Sequence, residues 1–342
     1  YVNFMNNPDE ETAVAQFGRG DKYFGVCTLM VTMPGLPMFG HGQLEGFEEK
    51  YGMEYTKAYK DETPDYDLLE RHKHDIFPLM KKRYLFSGVE DFFFYDVWSN
   101  GSVNENVFAY SNRYGDERAI VFYNNVYNQA NGWIQTSCKY AVKDADGNIH
   151  QETKNLCDAL GLSSEPNTYL IFREHRTEKW YIRRISEIRE KGMFLSLNGF
   201  EYQVLMDMSE VKDDATGKYG ILCDTLNGAG VPDIEQALNE IFLKDLYKAL
   251  SDFATRDFFV DMVKICNDGK NITKTIGKYK EKGLAYFETL VDFVNGNYGA
   301  DTVLGKDSKI NKTPAEAAWK ALAKNLSDFA KIASIKNKDR FF

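Results

Sequence analysis

The chain has 342 residues, 43% of them hydrophobic and 14% aromatic, and a formal net charge of −9. That length suits two or three domains with a sizeable core. The negative charge argues against a nucleic-acid partner, which needs a basic surface. No apolar run approaches the roughly 20 residues of a bilayer span, so no membrane partner is expected. The 21 Tyr and 24 Phe suit aromatic-rich cores and also sugar-binding platforms, with the core reading ahead. Five cysteines (Cys27, Cys138, Cys157, Cys223, Cys266) are odd in number and lack a CxxC pair. They fit neither a zinc site nor a disulfide framework, and buried free thiols in a reducing, cytoplasmic compartment are expected. No cofactor or metal is expected. Tyr1 already lies in a strand pattern, without an initiating Met or a signal peptide, and Arg340-Phe341-Phe342 ends the chain uncapped. These ends suggest a piece of something longer.

Tyr1 to Met5 reads as a short strand. Asn7-Pro8-Asp9-Glu10-Glu11 carries a helix-start signature: Asn7 as N-cap, Pro8 at the first position, acids at the positive end of the dipole. Asp21 to Thr32 is apolar nearly all round and predicts a buried helix, ended by Pro34-Gly35. Leu36 to Phe39, bounded by breakers, predicts a fully buried strand running into a Gly-rich loop, Gly40 to Gly46. Strand, helix, strand and loop together make one parallel βαβ unit. Its loop is where an α/β sheet or barrel presents a site.

Leu68, Leu69, His72, Ile76, Leu79 and Met80 share helical spacing between Pro64 and Tyr84, with Pro78 expected to kink or restart the helix. After Gly88 the character changes. Asp91 to Val97, Asn106 to Ser111, Arg118 to Asn124, Trp133 to Val142 and Tyr202 to Met208 predict strands. Asn100-Gly101, Tyr114-Gly115-Asp116 and Asp146-Gly147 are the turns. Helices are predicted over Glu152 to Leu160 and Glu174 to Lys191. From Val231 the pattern is helical: Ile234 to Phe253, Asp257 to Asn267, Ile272 to Asn295 and Pro314 to Ile335. Thr313-Pro314 marks the last start, and 296–312 reads as a polar loop.

Two linked motifs resemble the α-amylase family of glycoside hydrolases and transglycosidases, glycoside hydrolase family thirteen. Phe4-Met5-Asn6-Asn7-Pro8-Asp9 is similar to the family's Phe-x-x-Asn-His-Asp pattern after its seventh barrel strand, except that Pro8 replaces the usual His. Pro34-Gly35-Leu36-Pro37-Met38-Phe39, then Gly42-Gln43-Leu44-Glu45-Gly46, is similar to its eighth strand. The resemblance spans about residues 1–210. It implies a mixed architecture: the last strands and helices of a (β/α)8 barrel (1–87), an antiparallel β-sandwich domain with a helical insertion (88–212), and a helical tail (213–342) outside it.

The resemblance also implies roles. Asp9 corresponds to the third catalytic carboxylate, which grips the sugar and supports its distortion toward the oxocarbenium-like transition state. The same Asp9 equally suits the first turn of a helix. Asn7, His41 and Gln43 are candidates for the substrate contact that Pro8, lacking a side-chain donor, cannot make; His41 has an equal reading as a structural residue. Retaining glycosidases need a nucleophile and an acid about 5 Å apart. In the family these lie on strands four and five, upstream of the match. Glu45, Glu48, Glu49, Asp65 and Asp67 read as loop-rim and first-turn acids rather than substitutes. His72 and His74, two apart, diverge on a helix and give no metal spacing. The expected function is therefore part of an enzyme acting on an α-glucan or oligosaccharide, inactive alone. The alternatives are a non-catalytic glucan- or partner-binding piece and a degenerate homologue.

Overall fold

A computed structural model describes residues 1–52, 56–214, 216–298 and 314–335. Their contacts group into two units, 1–238 and 239–342. The chain opens with β1 (Val2–Phe4), α1 (Ala13–Phe17), α2 (Asp21–Thr32) and β2 (Leu36–Met38). β1 and β2 pair in parallel, Val2 opposite Leu36 and Phe4 opposite Met38, with α2 as the crossover. The expected βαβ unit is there, and the expected second helix runs over its predicted residues.

Two expectations fail in this unit. The strand over Leu36–Met38 is not buried: Leu36 is 64% and Val2 52% exposed. Parallel strands normally have both faces covered, and among the described residues these two have only each other as sheet partners. The helix expected from Asn7 also fails to propagate. Asn7 does accept the amide hydrogens of Asp9 and Glu10 at 2.8 and 2.9 Å, as an N-cap would. The chain then makes one turn only, and α1 begins at Ala13. Asn side chains support an isolated turn as readily as a helix.

Next come α3 (Tyr66–Arg71), a π-helical turn (His72–Ile76), α4 (Phe77–Lys81) and α5 (Arg83–Phe86). Asp65 caps α3, accepting the Leu68 amide at 3.1 Å. Pro78 cannot donate to the carbonyl four residues back. The helix widens just before it, Phe77 donating to His72 five residues back, and restarts with Pro78 in its first turn.

The β region comprises β3 (Phe93–Phe94), β4 (Trp98–Ser99), β5 (Ser102–Val103), β6 (Val107–Tyr114), β7 (Glu117–Asn124), β8 (Ala130–Ile134), β9 (Tyr140–Lys143) and β10 (Ile149–Glu152). After α6 (Leu156–Ala159) it continues with β11 (Thr168–Glu174), β12 (Trp180–Arg184), α7 (Ile185–Lys191), β13 (Met193–Leu197), β14 (Tyr202–Lys212) and α8 (Lys218–Leu226). Among the described residues a six-stranded sheet runs β12-β11-β14-β7-β6-β3, a four-stranded sheet β13-β8-β4-β5, and β9 pairs only with β10. All these pairings are antiparallel. Asn100 and Gly101 both take positive φ in the β4–β5 turn, as a type I′ hairpin requires.

The two sheets enclose one core. On β7, Ile120 and Phe122 point into it. Alternate residues Ala119, Val121 and Tyr123 point the other way, into a second core with α2 and the helices around Pro78. A strand buried on both faces reads as continuous apolar sequence, which is what Ala119 to Tyr123 show. In β14 the alternation breaks at Asp207, whose φ is +53°. Met206 faces the helices and Met208 the sandwich, because the register shifts at this point. The Asp207 carboxylate is held by Lys82 at 2.9 Å and Arg173 at 2.6 Å. Burial opposes its ionisation, but those partners outweigh burial and hold its pKa below the ordinary carboxylate value.

Several predicted elements in this region are corrected. Trp133 to Val142 is two strands, since Thr136 and Ser137 leave the sheet to bridge Asn155 and Tyr95. The helix over Glu152 to Leu160 shrinks to α6, its start taken by β10 and by Asn155 capping Cys157. The helix over Glu174 to Lys191 is half strand: aromatic and branched residues in Trp180–Arg184 pair with β11, and α7 follows.

The second unit is helical: most of α9 (Ile234–Phe253), then α10 (Arg256–Asp268), α11 (Ile272–Gly277), α12 (Lys280–Tyr298) and α13 (Pro314–Ala333). Thr255 caps α10 through the Phe258 amide, and Gly269 ends it in the left-handed region. Phe253, Phe258, Ile265, Tyr279 and Trp319 form its core. The single helix expected over Ile272 to Asn295 breaks at Lys278–Tyr279. There the buried Tyr279 reaches Asp261 at 2.7 Å. The Thr313 cap and the 296–312 loop fall wholly or largely outside the described residues. All five cysteines are unpaired; Cys27, Cys157 and Cys223 are buried, Cys138 and Cys266 partly so.

Candidate functional site

A cleft of about 210 Å3 opens where β1 and β2 end. Its walls come from the segments that follow the two strands: Asn6, Asn7, Pro8, Glu10 and Thr12 after β1, and Met38, Phe39, Gly40 and His41 at and after β2. Glu49, Lys50 and Tyr51 close the third side. Carboxyl ends of neighbouring parallel strands are where α/β folds gather functional groups.

Asn7 lines this cleft and holds the turn that carries Asp9. The Asp9 side chain is exposed. Its amide is bound by Asn7 and its carbonyl accepts from Lys50 Nζ at 2.9 Å, so the backbone on both sides of the carboxylate is fixed. Its neighbours Pro8 and Glu10 line the cleft beside His41, whereas Asp9 itself is not among the lining residues. His41 is exposed and meets Tyr51 edge to face, ring centres 4.6 Å apart.

Gln43 does not reach the cleft. It is 3% exposed, its Oε1 accepts the Gly40 amide at 3.0 Å, its Nε2 donates to Met5 Sδ, and its carbonyl accepts from Tyr23. It shapes the loop that presents His41. Gly40 is required beside it, because a Cβ there would overlap the Asn6 amide group.

The other acids near the cleft are engaged. Glu49 accepts the amides of Tyr59 and Lys60 at 2.7 and 3.1 Å. Glu62 does the same for Glu48 and Glu49, and against the opposing effect of burial these amides lower its pKa. Arg19 pairs with both Glu48 and Asp65. These carboxylates order the loop after β2. Asp9 and Glu10 sit side by side on one turn, not on opposing elements.

Sequence reasoning missed Asn6 and Thr12. Both are buried in the cleft wall, and Asn6 Oδ1 and Thr12 Oγ1 have no hydrogen-bond partner. Next to Asn7 in the motif, Asn6 carried a signal that its stronger neighbour masked. Lys50 and Tyr51 lie just beyond the Gly-rich loop and carried no motif signal of their own. Among the described residues no cluster of three His, Cys, Asp or Glu is placed to hold a metal, and no helix is long and apolar enough to cross a membrane.

No protein-family model and no curated protein sequence matches the chain. Among solved structures it is similar to the α-amylase of Geobacillus thermoleovorans complexed with acarbose (13% identity, TM-score 0.35, 61% of this chain and 38% of that one). It is also similar to the maltogenic α-amylase AmyB of Thermotoga neapolitana (14%, TM-score 0.38, 61% and 41%). A third is the debranching enzyme of Nostoc punctiforme, soaked with acarbose (14%, TM-score 0.35, 60% and 33%). The chain spans between a third and two-fifths of the length of these structures.

Proposed function

We propose that this chain is the closing part of a carbohydrate-active enzyme of the α-amylase type, acting on α-glucans or their oligosaccharides by a retaining mechanism. In this reading β1 and β2 are the last two strands of a (β/α)8 barrel, and further strands cover the apolar faces of Val2, Phe4 and Leu36. Asp9 holds hydroxyls of the sugar at the cleavage point and favours its distorted, oxocarbenium-like form. Asn7 fixes the turn that aims Asp9, and His41 against Tyr51 offers the substrate contact that Pro8 lacks.

The observation that carries this reading is one juxtaposition. The turn after β1 and the Gly-rich loop after β2 converge on a single cleft at the carboxyl ends of a parallel pair. Retention requires a nucleophile and an acid on opposing sides of the sugar. Glu49 is occupied by backbone amides and Glu10 adjoins Asp9 on its own turn, so both of those groups are assigned to residues outside this chain.

Turnover of maltoheptaose tests the reading. The protein that carries this chain together with a complete barrel is expected to release or transfer maltooligosaccharides, and residues 1–342 alone to release none. Turnover by the isolated chain would overturn the assignment of the missing carboxylates. No turnover by the longer protein would favour the degenerate-homologue reading, for which Pro8 in the place of a donor is the specific support.

A further inference from the structure

The outer face of the four-stranded sheet carries a row of aromatic side chains that no core uses. Trp98 of β4 pairs across the strands with Trp133 of β8, and Trp133 with Phe194 of β13. Residues directly opposite in a ladder project from the same face. The three are 52%, 43% and 52% exposed, whereas their neighbours along β8 and β13, Gly132, Ile134, Met193 and Leu195, are buried. Gly132 is needed here, since a Cβ would press on the Trp98 carbonyl at 2.7 Å. Two residues along the strands, the exposed pair Asn131 and Ser196 adds a polar row beside the aromatic one. At the Phe194 end the row opens into a cavity of about 370 Å3 lined also by Arg184, Asp224 and Asn227.

We infer that this face is a glucan-binding surface, separate from the cleft at the strand ends and independent of the catalytic reading. Sugar rings offer apolar C–H faces to aromatic rings and hydroxyls to polar groups at their rims, and this surface provides both. Its charge balance matches a neutral ligand. Arg184 is neutralised by Asp224 through two contacts at 2.6 and 2.8 Å. Arg183, also in the cavity, donates to the Ile182 and Gly228 carbonyls and has Glu187 in the same lining to balance it, and the row itself carries no charge. A nucleic acid, an acidic peptide or an anionic lipid would find no free cation in the row.

Area argues against a second copy of the chain. Three half-exposed aromatic side chains offer about 300 Å2, far short of the roughly 800 Å2 per partner of a stable interface. The ring geometry selects the kind of glucan. The Trp133 and Phe194 planes are inclined at 56° with centres 5.2 Å apart. Such rings do not make the flat platform that a ribbon-like β-1,4-glucan would lie on. They follow a chain whose successive sugars turn, as in an α-1,4-glucan.

Affinity electrophoresis through amylose and calorimetric titration with maltoheptaose and cellohexaose test the inference on the chain as it stands. The chain is expected to be retarded by amylose and to bind maltoheptaose in preference to cellohexaose. Trp133→Ala and Trp98→Ala are each expected to weaken maltoheptaose binding roughly tenfold, and Trp133→Tyr to restore part of it. Both positions are on the surface, and an unchanged far-ultraviolet circular dichroism spectrum and urea unfolding midpoint confirm folding. No retardation, equal binding of cellohexaose, or affinity lost with His41→Ala but kept with Trp133→Ala would overturn it. So would a dimer in sedimentation that Trp133→Ala dissolves.

Discussion

Asn7 and Asp75 show how one residue serves an architecture in two ways. Asn7 has the capping chemistry its sequence context implies, yet caps an isolated turn, whose Pro8 and Glu10 line the cleft while Asp9 between them is exposed and outside the lining. Asp75, in the π-helical turn, is buried at the centre of a network. It accepts from Arg71 at 3.0 Å, from Tyr202 and from His74 at 2.6 Å, and its carbonyl accepts from His175 at 2.9 Å. Burial opposes its ionisation, but these donors outweigh burial and hold its pKa below the ordinary 3.8. The stability it contributes is thus complete above about pH 4 and lost as pH falls through the folded value. His72 and His175 are buried, and burial holds both below the ordinary 6.5. The unfolded chain takes up protons that the folded one refuses, so their contribution is complete above 6.5 and declines below it. Thermal unfolding followed from pH 8 to 3 should give a flat Tm down to about 6.5, a decline below it, and a second decline below 4. A constant Tm between pH 7 and 5 would contradict the burial of these histidines. Asp75→Asn should cost about 2 kcal/mol at pH 7, read from urea unfolding, because donors to a charged group lose their acceptor.

At the scale of elements, the parts legible in the sequence are those set by local rules. The helix Asp21–Thr32 lies between its breakers, Asn100-Gly101 makes its hairpin, and Pro78 restarts its helix. What escaped was set by tertiary partners. Trp180–Arg184 continues a helix-like pattern into α7 but becomes a strand because β11 offers it an edge. Leu36–Met38 reads as buried but is largely exposed, because among the described residues its one sheet partner is β1. Of the site, Asn7 and His41 were legible because the motif and the glycines mark them. Gln43 was misread, since sequence does not reveal that its amide turns inward to Gly40 and Met5. α2 gives a sharp test of packing. Gly25 faces the Tyr123 ring, which a Cβ would overlap. Gly25→Ala should therefore destabilise by about 1–3 kcal/mol in urea unfolding, although alanine is the better helix former. A neutral or stabilising result would show that α2 does not pack on β7 as closely as described.

At the scale of the molecule, the main feature is a parallel pair left open to solvent. Tyr1, Val2, Phe4, Leu36 and Met38 are all exposed, on strands of the kind that proteins ordinarily bury. The barrel reading accounts for this face as one that further strands cover. Val2→Thr with Leu36→Lys should then change the stability of the isolated chain by no more than about 0.5 kcal/mol and sharply lower the activity of the longer protein. A large loss of stability in the isolated chain would mean that the face already packs against its own residues. Both tests lead back to Asp9, the carboxylate around which the proposed barrel would complete a site. The most direct measurement is the kcat of the longer protein on maltoheptaose with Asp9→Asn, a change that leaves side-chain size nearly the same. The account predicts a fall of about 100-fold or more, with an unchanged unfolding midpoint. A kcat within twofold of the parent's would contradict it.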